Sequence, residues 1–509
     1  MKKNYTLTEL QKKSVEQMKK MQSVVLALSP GTGKTITVLD FISDLINNTE
    51  DKCFFFIPKS ARAAFEKELK TKMGLSEKDY ILIKAGKKYL YSEIVKYQYI
   101  LIENTLVHKY IEELTSIASE YNCHLVIDEA HSLQNPGSVF SQAAWEIRCY
   151  CKRIVAMTAT PLMNSIEGLF HLYHFVYPKL FNSWIRFRSR YCIIKENIIR
   201  MKNRSGALIQ RKVIDIIGYQ NMDELTDILD QLTIKGCVRY NVNFEFLSCQ
   251  LDEQSEKPYQ LASQGLFDIL YHPEKVKSRS RGKNSDDPLD NQKDFGSRMH
   301  DLSRVVDGCD IGDNDHDFVS NKVKLLLGKV KEIMDRNESV LVYFEYKDSL
   351  EMAERILLNN KQDLGFKKIY RLTGEEKEET RAKIESELGL KEIILCTQAA
   401  SQSRNLQRAN QLIIFDLMYS IGRLIQTTGR ICRQDSTYDH QDITILTVKD
   451  TIDEYKETLF KDHLSLISKL LGDESTGVLT DCEYLDIDRS SIRDLKNSLL
   501  WRRDKKRKK

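Results

Sequence analysis

The segment from Ser29 to Thr35 reads Ser-Pro-Gly-Thr-Gly-Lys-Thr and follows a short apolar run, residues 24–28. A strand, a tight glycine loop and a helix N-terminus in this order place backbone N–H groups and a positive helix end around phosphate oxygens. Lys34 can then bridge the β- and γ-phosphates, while the Thr35 hydroxyl can ligate Mg²⁺. Leu28 replaces the usual first glycine, so the match is incomplete. The pattern predicts a phosphate-binding P-loop formed by Gly31, Thr32, Gly33, Lys34 and Thr35.

An acidic pair follows the apolar run at residues 124–127, where Asp128 and Glu129 begin the tetrapeptide Asp-Glu-Ala-His. The carboxyl ends of buried parallel strands are where α/β folds keep their ligands. There Asp128 can hold Mg²⁺ through its water shell, and Glu129 can orient or deprotonate an attacking water. The tetrapeptide could also occur by chance on a helix, but the strand before it and the loop upstream favour the catalytic interpretation.

Two weaker patterns come later in the chain. Thr158 and Thr160 belong to a Thr-Ala-Thr-Pro segment after the next apolar run, where hydroxyls can relay the presence of a γ-phosphate or simply form a turn. Arg430 and Arg433 are three residues apart and therefore share a helix face or a turn. A guanidinium can neutralise charge on a transferred phosphoryl group, whereas a surface arginine pair is the plain alternative. The order of all four patterns is more specific than either of these two alone.

The elements that must position these residues are indicated by strand-sized apolar runs alternating with longer amphipathic segments. This alternation predicts buried parallel strands with crossover helices, in an α/β fold with two blocks at about residues 1–170 and 320–460. The apolar runs lie at residues 53–57, 99–102, 124–127, 154–157, 340–344, 369–372, 393–396 and 412–415.

The segment between the two blocks has a different character and is too long for a plain connector. Residues 221–232 carry apolar side chains at helical spacing, while residues 274–296 are rich in charged and small polar residues and predict a mobile insertion. A second periodic helix begins near residue 323. We therefore expect a first lobe, helical protrusions with a mobile linker, a second lobe and a C-terminal extension at residues 1–170, 171–320, 321–465 and 466–509.

Composition narrows the class of protein. The chain has 509 residues, so we expect more than one domain, and its 41% hydrophobic and 29% charged content is ordinary for a soluble protein. Its formal net charge of +4 is nearly balanced, so a nucleic-acid surface would have to come from local patches. No signal peptide or membrane-spanning stretch is recognisable, which predicts a cytoplasmic protein, or a nuclear one, with no membrane partner.

The cysteines and the last residues each allow a plain and a sharper interpretation. The 11 cysteines are scattered without paired C-x-x-C clusters, which favours reduced, buried thiols over a zinc site or disulfides. Residues 501–509 include seven basic side chains. Such a tail is most simply a solvated, disordered end, while contact with DNA or a nuclear-import signal is the sharper hypothesis.

The P-loop, the DEAH box, the Thr-Ala-Thr-Pro segment and the final Q-x-x-G-R-x-x-R, in this order, resemble the superfamily-two helicases and translocases. The closer resemblance is to the Swi/Snf family of double-stranded DNA translocases. That family continues its acidic motif as DEAH-x-L-K-N, and residues 128–135 read Asp-Glu-Ala-His-Ser-Leu-Gln-Asn. Further similar segments lie at residues 161–164, 167–170, 178–181, 218–225, 299–304, 340–344, 371–374, 405–406 and 416–426.

The chain is similar to this family over about residues 5–460, but it departs from it at several positions. Ala400, Ser401 and Ser403 stand where the family has glycines, and residues 419–421 replace its W-N-P. The chain is thus identified as a divergent member, for which we hold a viral, phage or prokaryotic origin as a hypothesis.

The resemblance implies two RecA-like lobes with ATP bound in the cleft between them. Gln11 would read the adenine base, and the P-loop would act with Asp128 and Glu129 on the phosphates, Mg²⁺ and water. Closure of the second lobe would add the arginine fingers Arg430 and Arg433, with Gln426 and Gly429 from the same motif. His131, Thr158 and Thr160 would couple the nucleotide state to DNA.

Double-stranded DNA would lie across both lobes and be held mainly through its phosphates. The candidate contacts are loop residues that could equally have ordinary turn roles: Lys59, Ser60, Asn104, Thr105, Thr373 and Thr397.

Three functions are compatible with these observations. The first is an ATP-driven translocase on duplex DNA, a hydrolase that turns over ATP without separating strands. The second is a strand-separating or branch-migrating helicase. The third is a nucleotide-gated DNA clamp or scaffold with little turnover, which the altered residues 400–403 motivate.

Overall fold

A computed structural model describes ten stretches of the chain and several shorter pieces. They are residues 4–159, 161, 165–202, 208–236, 242–271, 299–309, 318–376, 378–397, 406, 408–418, 424, 427–429, 431, 438, 440–458 and 460–461. The predicted mobile insertion at residues 274–296 lies outside them.

The first lobe alternates strands with helices from its first helix onward. Helix α1 (Glu9–Lys20) begins after Thr8. The Thr8 hydroxyl accepts a hydrogen bond from the backbone N–H of Gln11, and the Gln11 side chain accepts one from the backbone N–H of Thr8. This reciprocal pair is a capping box. The elements that follow are β1 (Val24–Leu28), α2 (Lys34–Leu45), β2 (Asp51–Ile57), α3 (Arg62–Thr71), β3 (Tyr80–Ile83), α4 (Tyr91–Ile94), β4 (Tyr99–Glu103), α5 (Ile111–Glu120), β5 (Asn122–Ile127), α6 (Val139–Arg148) and β6 (Arg153–Thr158).

The next elements begin with a helix that packs on the first sheet and end with a strand that joins it. Two helices are followed by an antiparallel hairpin, another helix and a short strand. They are α7 (Ile166–Val176), α8 (Trp184–Tyr191), β7 (Cys192–Lys202), β8 (Leu208–Tyr219), α9 (Met222–Leu232) and β9 (Thr233–Gly236). The helix predicted at residues 221–232 is present as α9, whereas the sequence pattern did not predict the hairpin.

The first sheet has seven strands in the order β3-β4-β2-β5-β6-β1-β9, all parallel. Side chains alternate between its two faces, as a pleated strand requires. Phe54 and Phe56 pack on the side of α5, α6 and α7, whereas Phe55 packs on the opposite side with α2 and α3. Because both faces are covered, these strands consist of continuous apolar runs.

The second lobe repeats this architecture with a separate parallel sheet. Its elements are β10 (Val242–Cys249), α10 (Glu253–Tyr271), the helical residues 299–307 (α11), α12 (Asn321–Asp335), β11 (Val340–Phe344), α13 (Lys347–Asn359), α14 (Lys361–Leu364), β12 (Lys368–Leu372), α15 (Glu378–Glu387), β13 (Glu392–Thr397), β14 (Gln411–Ile414) and β15 (Gln441–Val448). The strand order is β10-β15-β14-β11-β13-β12.

The predicted α/β fold with two RecA-like parallel-sheet lobes is confirmed. All eight predicted strands are present, each within a few residues of its expected bounds. The segment 171–320 also supplies one strand to each sheet, β9 to the first and β10 to the second. Strand β9 was missed because its four residues, Thr-Ile-Lys-Gly, are too short and too polar to form a recognisable apolar run.

Candidate nucleotide-binding site

The predicted P-loop lies between the end of β1 and the start of α2. Gly31 and Gly33 have φ angles of 79° and 78°, the left-handed region that glycine adopts without a steric cost. Thr32 is buried, and its hydroxyl donates a 2.8 Å hydrogen bond to the carbonyl of Ser29 across the loop. Helix α2 begins with Lys34 and Thr35, so its first backbone N–H groups face the loop. This geometry fits a phosphate cradle.

Gln11 contacts this loop from α1. Its Nε2 donates a 2.8 Å hydrogen bond to the Thr32 carbonyl, and its Oε1 accepts a 2.9 Å bond from the backbone N–H of Thr8. A Cβ atom at Gly33 would lie 2.4 Å from the Gln11 Nε2, so a side chain there would have to displace the Gln11 amide as well as adopt a φ of 78°. A carboxamide has a second donor and a second acceptor position, which leaves Gln11 able to read a base edge.

Lys34 lies over the loop rather than extending away from it. Its Nζ donates hydrogen bonds to the carbonyls of Leu28, at 2.9 Å, and Ser29, at 3.3 Å. Burial raises the pKa of Asp128 and the positive charge of Lys34 opposes that rise, so the first residue of α2 and the carboxylate after β5 interact. The predicted phosphate-binding ammonium and the predicted metal-binding carboxylate therefore belong to one site.

The acidic pair lies at the end of β5. The backbone N–H of Asp128 donates a 2.9 Å bond to the Phe56 carbonyl and so continues the ladder with β2. Burial, followed by the nearby charge of Glu129, raises the pKa of Asp128 to about 7, against the opposing effect of Lys34. Glu129 has φ 49° and ψ 51°, a left-handed conformation that is strained for a residue with a Cβ. Its Oε2 lies 3.2 Å from the Nδ1 of His131.

The strand order explains how these groups converge. In the first sheet β6 lies between β5 and β1, and all three strands are parallel. Their carboxyl ends therefore place the P-loop, Thr158 and Asp128 at one edge of the sheet. Thr158 is completely buried at the end of β6. A hydroxyl, a buried carboxylate and an ammonium at this edge fit a nucleotide triphosphate with Mg²⁺, which prefers oxygen ligands.

The predicted contributions of the second lobe are mostly beyond the described residues. Gln426, Arg430 and Arg433 lie outside them, as does Thr160 of the first lobe. Gly429 is described, is buried, and follows a short helical turn whose Thr428 carbonyl accepts a 3.2 Å bond from Ile431.

The predicted DNA contacts of the first lobe lie in two 3₁₀ turns at the same edge of the sheet. Lys59 and Ser60 are in the turn after β2, and Asn104 and Thr105 are in the turn after its neighbour β4. An ion pair of 2.9 Å between Arg62 and the buried carboxylate of Glu103 joins the two turns. Lys59 and Thr105 are exposed to solvent.

A basic turn after β3 was missed by the sequence analysis. Lys84, Lys87 and Lys88 are exposed there, and β3 is the direct neighbour of β4 in the sheet. The Tyr110 hydroxyl donates a 3.1 Å bond to the Lys87 carbonyl, which ties this turn to the end of the turn after β4. The sequence shows a cluster of lysines around Gly86. Only the strand order shows that this cluster lies beside the turn that carries Asn104 and Thr105.

In the second lobe, Thr373 directly follows β12, and Thr397 is the last residue of the adjacent strand β13. Thr373 is only 5% exposed, and its hydroxyl lies 2.9 Å from both carboxylate oxygens of Glu376. The guanidinium of Arg381 donates a 2.8 Å bond to the Thr373 carbonyl. These bonds stabilise the turn at Thr373, and the backbone of Thr373 lies at the carboxyl edge of the second sheet.

Two further observations limit the kinds of site. Among the described residues, no group of three or more His, Cys, Asp or Glu side chains could hold a metal ion. A search of the helices in the same part of the chain finds none that is long and apolar enough to cross a membrane.

Comparison with family models gives two matches. The SNF2-related domain matches residues 10–282, which include the P-loop and the acidic pair. The helicase conserved C-terminal domain matches residues 322–435.

Individual relatives are distant. The chain is similar to Protein CHROMATIN REMODELING 20 of Arabidopsis thaliana, with 25% identity over 57% of this chain and 24% of that protein. It is also similar to SNF2 domain-containing protein ENL1 of Oryza sativa subsp. japonica, with 22% identity over 86% of this chain and 49% of that protein. The chromatin structure-remodeling complex subunit snf21 of Schizosaccharomyces pombe is 23% identical over 84% of this chain. The chain spans only 24% to 49% of the length of these relatives.

A solved structure is similar along almost the whole chain. It is the Sulfolobus solfataricus SWI2/SNF2 ATPase core in complex with dsDNA, 19% identical, covering 97% of each chain with a TM-score of 0.41.

Proposed function

The chain belongs to the family of SNF2-related proteins, and from this premise we propose that it couples ATP hydrolysis to movement along double-stranded DNA. The observation that carries the proposal is the convergence of Lys34 and Asp128 at the ends of β1 and β5, where their charges interact. A phosphate-binding ammonium beside a buried carboxylate is the arrangement that nucleotide hydrolysis requires.

The chain's own residues would hold the nucleotide from three sides. Bound Mg²⁺ and ATP would supply the scissile phosphoanhydride and neutralise its charge. Gln11 would read the adenine edge with its remaining donor and acceptor positions. The backbone N–H groups of the P-loop and Lys34 would bind the phosphates, and Thr35 and Asp128 would hold the metal, Asp128 through water.

Glu129 would orient and deprotonate the attacking water, since its carboxylate follows directly on the metal-binding residue. The His131 ring nitrogen lies 3.2 Å from that carboxylate, and His131 would couple the state of the site to DNA. The second lobe would contribute further groups from one motif when the lobes close, and Thr158 and Thr160 would pass the nucleotide state on to the DNA-binding loops. The second-lobe groups are Gln426, Gly429, Arg430 and Arg433.

Duplex DNA would be bound through its phosphates, without sequence specificity. In the first lobe the contacts would come from Lys59, Ser60, Asn104 and Thr105, which lie in two turns joined by an ion pair. Thr373 and Thr397 would add contacts from the second lobe. The location of such a protein would be the cytoplasm, or the nucleus where its host has one.

The test is ATP turnover with and without duplex DNA, measured beside Glu129→Gln and Lys34→Ala. We expect DNA to stimulate the wild type, and both variants to lose turnover while binding DNA normally. Displacement of a triplex-forming strand would then establish movement along the duplex. ATPase activity indistinguishable between the wild type and Glu129→Gln would overturn the enzymatic proposal and leave a nucleotide-gated clamp. Displacement of a duplex strand would instead establish a helicase.

A further inference from the structure

Gln134 ends the turn that carries the acidic pair and contacts two other elements. Its Nε2 donates a 2.8 Å hydrogen bond to the carbonyl of Pro161, in the segment after β6. Its side chain also lies flat against the first turn of α7. A Cβ atom at Gly168 would be 2.6 Å from the Gln134 Oε1 and 3.2 Å from its Cβ and Cδ. One side chain therefore joins the end of β5, the end of β6 and α7.

The turn that Gln134 ends begins with a strained residue. Glu129 is left-handed, and the residues that follow it, Ala130–Gln134, form a 3₁₀ turn. Within that turn the backbone N–H of Ser132 donates a 3.0 Å bond to the Glu129 carbonyl. A strained backbone persists only where its surroundings hold it in place. The start of the turn is held by the hydrogen bond from the Asp128 N–H to the Phe56 carbonyl. The end of the turn is held by the contacts of Gln134 with Pro161 and Gly168.

The middle of the turn is held by burial and by one long hydrogen bond, 3.4 Å from the Ser141 hydroxyl on α6 to the Ser132 carbonyl. Ala130 and Leu133 are buried against the apolar face of the sheet and of α7. Apolar contacts are non-directional, so they fix the depth of the turn rather than the orientation of its peptide groups. A hydrogen bond depends on both distance and angle, and Gln134 is the side chain that makes one from this turn to the next segment.

We propose that Gln134 is a positioning residue that holds the Glu129 carboxylate in its working orientation through the turn between them. This inference rests on the proposed function, because it assigns Glu129 the deprotonation of water. The hydrogen bond and the close packing of Gln134 are made to Pro161 and Gly168 rather than to a phosphate-binding residue, so its removal should impair the chemical step and leave nucleotide affinity unchanged. The contact between Gln134 and Gly168 also links the turn to α7, and α7 is followed along the chain by α8 and the hairpin β7–β8.

The experiment compares two substitutions at residue 134 in the full-length chain. Gln134→Met keeps the length of the side chain but has no donor for the Pro161 carbonyl. Gln134→Lys keeps a donor at the end of an unbranched side chain. Gln142→Met is the matched control, since Gln142 is an exposed glutamine on the neighbouring helix α6. For each variant kcat, KM for ATP and hydrogen exchange of the peptide covering residues 129–135 are measured.

We expect Gln134→Met to lower kcat about fivefold, since one hydrogen bond contributes about 1 kcal/mol. The KM for ATP should stay within about twofold, and exchange of the Ser132 amide should become faster. Gln134→Lys should restore most of kcat, and Gln142→Met should match the wild type. An unchanged kcat in folded Gln134→Met would overturn the inference, and so would equal impairment by Met and Lys at this position.

The exchange measurement separates this inference from the proposed function. A wild-type protein that hydrolyses no ATP would contradict the proposed function. Faster exchange in Gln134→Met alone would then still support the restraint of the turn, while equal exchange in both Met variants would overturn it. Proportional changes of kcat and of the folded fraction in Gln134→Met would indicate a purely structural role and would also overturn the inference.

Discussion

Gln11 and Gly33 are in direct contact, with the Gln11 Nε2 only 2.4 Å from the position that a Cβ of residue 33 would occupy. The same nitrogen donates to the Thr32 carbonyl at 2.8 Å. Helix α1 therefore packs against one side of the P-loop. A side chain at residue 33 would have to adopt the left-handed φ of 78° and would also displace the Gln11 amide.

The first prediction concerns Gly33→Ala. A left-handed alanine costs about 1–2 kcal/mol, and its Cβ would also displace the Gln11 amide, so we expect nucleotide affinity to fall at least about tenfold. A fluorescent ATP analogue in an equilibrium titration measures this. The matched control is Gly328→Ala on α12, where the added Cβ meets no atom within 4 Å. Affinity of Gly33→Ala within twofold of the wild type would contradict the role of this contact.

The second prediction concerns a buried charge cluster in the second lobe. The Nζ of Lys322 lies 2.9 Å from carboxylate oxygens of both Asp307 and Asp453 and 3.7 Å from Asp416, and all four side chains are 1% exposed. Burial opposes the charged form of Lys322, but the three carboxylates outweigh it and raise its pKa. Among the described residues, removing this cation leaves the buried carboxylate of Asp307 without an ion-pair partner and Asp453 with only Lys456, at 3.9 Å, so Lys322→Met should cost about 3–5 kcal/mol.

The measurement for the cluster is urea unfolding followed by the circular dichroism of the full-length chain. The exposed neighbour on α12 provides the control, and Lys324→Met should change the free energy of unfolding by less than about 0.5 kcal/mol. If Lys322→Met unfolds at the same urea concentration as Lys324→Met, the cluster does not stabilise the lobe as its geometry indicates.

The nucleotide-binding site and the charge cluster around Lys322 differ in how far the sequence could predict them. The P-loop and acidic pair follow from local patterns, because a glycine loop or a strand end is specified by adjacent residues. The cluster around Lys322 brings together residues 307, 322, 416 and 453, and no local pattern indicates that these distant segments meet. Gln134 was likewise read only as part of a motif, since its contacts with Pro161 and Gly168 depend on the packing of α7.

The third prediction concerns the pH dependence of stability. His124 on β5 is buried, and burial followed by the nearby charge of Arg153 lowers its pKa from 6.5 to about 4, against the opposing charge of Asp51. Between these values the unfolded chain binds a proton that the folded chain does not, so stability falls as the pH drops through this window. The loss reaches about 3 kcal/mol near pH 4.

Urea unfolding at a series of pH values from about 7 to 4 checks this third prediction. His124→Gln has no titrating ring, so its stability should decline less steeply with falling pH than that of the wild type. Parallel curves for the two proteins would show that other groups cause the decline.

The fourth prediction concerns the basic turn after β3. Lys84, Lys87 and Lys88 are exposed around Gly86, and the bond from Tyr110 to the Lys87 carbonyl holds them beside the turn that carries Asn104 and Thr105. If duplex DNA lies on this edge of the sheet, these ammonium groups are close enough to neutralise its phosphates. Replacing all three lysines by glutamine should weaken DNA binding. It should also reduce the slope of log K for DNA against log salt concentration by about 0.9 for each phosphate that an ammonium group no longer neutralises.

The control for the basic turn removes the same charge from the opposite edge of the same sheet. Lys78, Lys96 and Lys152 are exposed and precede β3, β4 and β6, so they lie at the amino-terminal ends of the strands. Fluorescence anisotropy of a labelled duplex at several salt concentrations gives both affinities and slopes. Equal slopes for the two triple variants would mean that only net charge matters, which would exclude the carboxyl edge as the specific DNA surface. A smaller slope for the basic-turn variant alone would place duplex phosphates beside β3, because charge removed from the far edge leaves counterion release at the DNA surface unchanged.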